Sequence, residues 1–141
     1  MARWRPRFQV ADIAQQIVGG FLLAGPFVVT EEVWTLATEM GWLRGLATVA
    51  IVVAIGYGAL YGADKDRDPE REWDVIGVPI RFLSLMGVAF GSVAILAIVL
   101  GAPDTFLAYL PAMERLGVTV RAIAVGAIFS VVGAATADSV Y

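Results

Sequence analysis

The chain reads as an all-α polytopic membrane protein: four transmembrane helices in two helical hairpins, with both termini cytoplasmic. Three observations predict this. Four apolar stretches, at about 13–33, 43–62, 80–100 and 118–137, each come close to the ~20 residues that cross a bilayer as helix. Hydrophobic residues make up 59% of the 141-residue sequence, leaving too little polar sequence to cover a water-facing surface. The basic residues are split unevenly between the two sides of the alternating spans.

The first span follows a basic leader with Arg3, Arg5 and Arg7. Its apolar run is too long for a signal peptide, and no small-x-small cleavage site follows it. The second span follows a short connection, Thr35–Trp42. Residues 63–79 form a longer charged loop before the third span. Gly101-Ala-Pro-Asp104 stops the third span, because glycine caps a helix end and proline cannot continue one. Asp104 is then placed to cap a short interfacial segment, Thr105–Leu110. Pro111 suits the start of the run into the fourth span. The whole is one membrane domain, 1–141.

The side of each loop follows from arginine and lysine. Arg3, Arg5, Arg7, Lys65, Arg67, Arg71 and Arg81 fall on one side, and Arg44, Arg115 and Arg121 on the other. The richer side is the cytoplasmic one. Trp4, Phe8, Trp34, Trp42, Tyr61, Trp73, Phe82 and Tyr109 lie at or beyond span ends, where aromatic rings settle among headgroups. The second and fourth spans align as a weak repeat offset by 77 positions, as in Arg44/Arg121 and Gly56/Gly133.

Composition also excludes chemistry. Cysteine and histidine are absent, which removes thiolate metal sites, cysteine nucleophiles and histidine acid–base catalysis. No nucleophile–base pair, metal triad or phosphate loop is legible, so no enzyme and no cofactor is expected. The net charge of −3 argues against nucleic acid as a partner. The expected partners are the lipid bilayer, further copies of the chain in a homo-oligomer, and a monovalent or divalent cation.

Helices in lipid associate through small residues that let backbones approach. Three stripes answer this description. The third span carries Ser84, Gly87, Gly91 and Ala94. The second carries Ala47, Ala50, Ala54 and Gly58, with Gly62 one turn on. The fourth carries Ala124, Ala127, Val131, Ala134 and Asp138. They are expected as seams within the bundle, or as the interface of an oligomer.

The first span is the most unusual. Asp12, Gln16, Gly19, Leu23, Pro26 and Thr30 share one face at helical spacing. Pro26 removes a backbone donor and frees the carbonyl near Leu22. Glu31 and Glu32 follow at the outer boundary. A carboxylate in or near hydrocarbon usually faces a bundle interior or a cavity. The functional expectation is an acidic mouth to a cation or proton pathway, with Glu32 slightly ahead of Glu31 as its ligand. The bland alternative is a pair of solvated glutamates just past a helix end. At the inner end, Asp12 and Asp138 would form an acidic site if their helices are neighbours. Alternatively Asp138 pairs with Arg7 or Arg81 as a boundary anchor. Arg44 and Arg121 are expected to snorkel to headgroups, or to neutralise the glutamates.

Pro26-x-x-x-Thr30-x-Glu32-Val33-Trp34 resembles the pattern of an uncharacterised family of integral membrane proteins, domain of unknown function 2391. Val29 stands where that pattern carries an aromatic residue. The resemblance covers mainly the first span. It implies a multi-spanning helical protein with no assigned activity and gives weight to Pro26, Thr30, Glu32 and Trp34.

The central loop alternates acids from Asp64 to Asp74. Asp64, Asp66 and Asp68 imitate the start of a Ca²⁺ loop, but Pro69 and Val75 stand where its glycine and final glutamate belong. A self-paired surface loop is the stronger reading and a Ca²⁺ or Mg²⁺ site the weaker. Two function classes follow. The expected one is a cation or proton channel or transporter-type pathway that uses the kinked first helix and its acidic outer end. The other is a structural or regulatory module that oligomerises or docks a membrane partner.

Overall fold

A computed structural model describes residues 10–62, 74–75 and 78–140. It is all-α apart from one two-residue strand pair. Four of its helices are long and apolar enough to cross a membrane. The expected Ca²⁺ or Mg²⁺ candidates Asp64, Asp66 and Asp68 lie outside the described residues.

Helix α1 spans Val10–Val28 and α2 spans Glu31–Glu39. The expectation of one span to Val33 is corrected here: the chain turns at Val29–Thr30 and starts a second, short helix. Thr30 has extended backbone at the N-cap of α2, and acids occupy the first turn of that helix. Negative charge there is favoured by the helix N-terminus, by about 0.3–1 kcal/mol per group. Within α2, Trp34 and Ala37 face inward and Met40 follows them into the core. The helix lies against the last long helix instead of forming a bare loop.

Helix α3, Trp42–Tyr57, runs on into a π-helical turn at Gly58–Gly62. After the undescribed segment, strands β1 (Asp74–Val75) and β2 (Val78–Pro79) pair antiparallel, with Val75 opposite Val78. They lead directly into α4, Ile80–Val99. Helix α4 ends where expected. Gly101 takes the left-handed conformation, φ 67°, that a glycine past a helix end adopts at little cost. Helix α5 then covers Ala102–Phe106, starting ahead of Asp104 instead of at Thr105. Asp104 pairs with Arg115 across the turn at 3.3 Å. Pro111 does precede a helix: α6 runs Ala112–Val140. At 1.5 Å per residue it is roughly 43 Å long, more than the ~30 Å of hydrocarbon.

Helix α6 is the hub. It packs against α1, α2, α3 and α4, and α1 also packs along α4. The first and second spans, neighbours in sequence, scarcely touch one another. The core therefore lies around α6 in two apolar layers. One joins Ala24, Val28, Trp34, Val93, Ala97 and Ala122; the other joins Val52, Leu60, Leu85, Ala127, Val131 and Ala134.

The small-residue stripes divide accordingly. On α6, Ala124, Ala127, Val131, Ala134 and Asp138 are all buried. On α3, Ala47, Ala50, Ala54 and Gly58 are exposed, and Gly45, Val52 and Gly56 make the inward face instead. On α4, a Cβ added at Gly87 or Gly91 would meet nothing within 4 Å. The tight seams run elsewhere. Gly19 and Gly133 meet backbone to backbone, and Gly56 and Gly126 receive Met86 and Val93.

Candidate functional site

The polar interior of the bundle is concentrated where α1, α4 and α6 meet. Arg81 stands in the first turn of α4, and its guanidinium reaches both neighbouring helices. Nη1 donates to Asp138 Oδ1 at 2.7 Å and Nη2 to Asp12 Oδ2 at 3.3 Å. Arg81 and Asp138 are 6% and 3% exposed. Gln16 donates from Nε2 to the other Asp138 oxygen at 3.2 Å, and its Oε1 accepts from Ser84 Oγ at 2.7 Å. Gln16 is fully buried. Gln15 Oε1, one residue before, is buried with no hydrogen-bond partner among the described residues.

The charges explain the arrangement. An isolated guanidinium or carboxylate held in a low-dielectric interior is expensive, and pairing plus hydrogen bonds offset that cost. Arg81 takes a carboxylate on each side, Gln16 donates to Asp138, and Ser84 donates to Gln16. The two sequence alternatives, an Asp12–Asp138 site and an Asp138–Arg81 anchor, occur together with Arg81 in the middle.

One turn deeper, Gly20 brings the α1 backbone against two hydroxyls. Ser92 Oγ and Ser130 Oγ lie 2.7 Å apart, and Ser130 Oγ also donates to Gly20 O at 3.1 Å. Both serines are essentially unexposed, at 2% and 0%. A Cβ at Gly20 would come within 3.1 Å of Ser130 Oγ and 3.3 Å of Ser92 Oγ. Polar side chains thus extend from the Arg81 end towards the middle of the bundle. Beyond them lies the apolar cluster that includes Ala24, Val28, Val93, Ala97 and Ala122.

The expected outer site is arranged differently. Gln16 and Gly19 face inward, but Pro26 is exposed and Thr30 only half-buried, so the polar face does not continue to the outer end. The reason is packing: α1 follows α6 through Gly19, Gly20, Ala24 and Val28, a line that drifts away from Pro26. Thr30 Oγ1 donates to Pro26 O at 2.6 Å, back along its own chain. Glu31 and Glu32 are exposed. Glu31 borders a shallow polar cavity with Thr35, Thr38 and Tyr109. At 1.5 Å per residue, roughly 20 Å of α1 separates these acids from the Gln16 cluster. Among the described residues, no group of three or more acids is placed to hold a metal ion.

Trp34 is turned inward, contrary to the expected headgroup position. Its Nε1 donates to Val28 O at 2.8 Å and its ring lies over Phe106, with centroids 6.0 Å apart. Trp42 and Tyr109, by contrast, are exposed at 58% and 70%. Arg44 is exposed, whereas Arg121 is half-buried between α2 and α3.

Sequence reasoning missed Ser92, Ser130 and the Gly19–Gly133 crossing. Lone hydroxyls in the middle of two apolar spans were the available signal, since such groups face protein more often than lipid. The chain matches no family model, no curated protein and no solved structure.

Proposed function

We propose that the chain is a polytopic membrane protein, with its termini and the 63–79 segment on the cytoplasmic side, that works as a packed helical module and docks or assembles with other membrane protein. One observation carries this reading. Arg81 draws the carboxylates of Asp12 and Asp138 into one ion-paired cluster, and an apolar layer lies between it and the opposite end of the bundle. Such a network fixes which helix faces meet, a use of buried polar groups that specifies structure at some cost in stability. The seven-to-three division of basic residues supports the orientation. In this orientation the Arg81 cluster lies at the cytoplasmic boundary. The resemblance of Pro26–Trp34 to an uncharacterised membrane family agrees with the reading and adds no activity.

A second reading, a cation or proton pathway, is favoured by the Ser92–Ser130 pair. These hydroxyls carry hydrogen-bonding groups beyond Gln16, and Glu31 and Glu32 offer acids at the far end. Flux in reconstituted liposomes separates the two. The module gives no proton, monovalent or divalent cation current above that of empty vesicles. A current abolished by Glu32→Gln or Asp138→Asn would establish the pathway and overturn the module.

A further inference from the structure

We infer that a groove between α3, α4 and α6 binds one anionic phospholipid, with its phosphate on Arg121 and an acyl chain along the helices. The inference rests on the membrane reading above. Helices α3 and α4 touch only sparsely, and α6 forms the floor between them. The groove they leave is lined by Gly45, Leu46 and Val49 from α3, Phe90 from α4, and Val120 and Ala124 from α6. All are apolar. Arg121 stands at its outer rim and borders a second, more polar cavity that opens beside Thr38, Trp42 and Glu114.

Arg121 is fixed in place. Its Nε donates to Ala37 O at 3.1 Å, and its guanidinium carbon lies 4.9 Å from the centre of the Trp42 ring. Two glycines lie beside it. A Cβ at Gly45 would touch the Arg121 stem at 3.4 Å, and one at Gly117 would come within 3.7 Å of Nη1. No hydrogen bond joins either Nη to another described residue, so the two outer nitrogens are left for a planar, bidentate acceptor. A phosphodiester oxygen pair fits that fork. The location matches as well. Trp42, exposed at the start of α3, marks the headgroup level. A lipid there has its phosphate at the height of Arg121 and its chain beside Leu46 and Val49. The counterpart on α3, Arg44, is exposed. Glu114 borders the outer cavity and opposes the anion.

The test uses the full chain in nanodiscs of phosphatidylcholine mixed equally with phosphatidylglycerol of the same acyl chains. Lipid retained on the protein is counted by native mass spectrometry. Phosphatidylglycerol is expected to be enriched about five-fold, the scale of one basic residue acting on an anionic headgroup. Arg121→Gln abolishes the enrichment, Arg121→Lys keeps the charge without the bidentate fork and so only part of it, and Glu114→Gln increases it. Should Arg121→Gln fail to fold, Leu46→Trp, which fills the groove and keeps the charge, is expected to lose the retained lipid. Equal retention of the two lipids by the unaltered protein would overturn the site. So would enrichment that survives both Arg121→Gln and Leu46→Trp, or displacement of the lipid by millimolar inorganic phosphate. Failure to float with vesicles of either composition is a separate result: it would overturn the membrane reading underneath.

Discussion

Gly19 and Gly133 touch through their backbones, each placed so that a Cβ on one would collide with the carbonyl of the other. This crossing holds α1 against α6 and positions the flanking polar groups, with Gln16 and Asp138 on one side and Gly20 and Ser130 on the other. Close approach of this kind is how helices gain packing energy where lipid offers little hydrophobic drive. Gly133→Ala is expected to destabilise the bundle by about 1–3 kcal/mol from overpacking, partly offset by up to about 1 kcal/mol of helix propensity. Gly25→Ala, where an added Cβ meets nothing within 4 Å, is the control and is expected to be neutral or mildly stabilising. Thermal unfolding in one detergent compares them.

Arg81 supports a second prediction, because its guanidinium pairs with both Asp12 and Asp138. Arg81→Met leaves both carboxylates without it, one of them buried, and is expected to cost about 3–5 kcal/mol, the scale for removing one partner of a buried ion pair. Adding Asp12→Asn and Asp138→Asn to Arg81→Met removes the uncompensated charge and should restore most of the loss. If the triple variant is no more stable than Arg81→Met alone, the cluster does not act through its charges.

The serine pair makes a smaller claim. Ser92 and Ser130 bond each other, and Ser130 also serves Gly20 O, so the two serines are coupled. A double-mutant cycle of Ser92→Ala and Ser130→Ala is expected to give a coupling of about 0.6 kcal/mol and no more than about 1.7 kcal/mol, the range found for such bonds between membrane helices. Zero coupling would mean that the two hydroxyls act separately.

The helix contacts that these variants probe are harder to read from the sequence than the spans themselves. The spans could be read because hydropathy sums over about 20 residues and no single position decides the outcome. Their ends were less clear. Thr30-Glu31-Glu32 is a helix-start pattern, but the apolar run continues through Val33 and hides the turn at Val29. Neighbour relations were harder still. Alanine and glycine pack well against protein and are tolerated against lipid, so the stripe on α6 turned inward while a similar one on α3 turned out. What distinguishes them is position in the bundle: α6 lies at its centre and packs extensively against α1, α3 and α4, whereas α3 packs mainly on α6. Charge was the better guide. Asp12, Asp138 and Arg81 were each flagged as candidate partners, because a buried charge needs a counter-charge wherever the fold places it.

Trp34 and Trp42 give the last prediction, since the same residue type eight positions apart has opposite surroundings. Trp34 is 2% exposed, hydrogen-bonded to Val28 O and stacked on Phe106; Trp42 is 58% exposed beneath Arg121. Trp34→Phe keeps most of the ring volume but leaves the Val28 carbonyl without its indole donor, at an expected cost of about 1 kcal/mol. Trp34→Ala also opens a cavity and is expected to cost about 3–5 kcal/mol. Trp42→Phe keeps an aromatic face for the guanidinium and should change stability by less than about 0.5 kcal/mol. Quenching by brominated lipid provides an independent check. The difference between the unaltered chain and Trp42→Phe should be a strongly quenched emission, and that between the unaltered chain and Trp34→Phe a weakly quenched one. Equal quenching of the two would place Trp34 on the outside and contradict the way α2 is folded against α6.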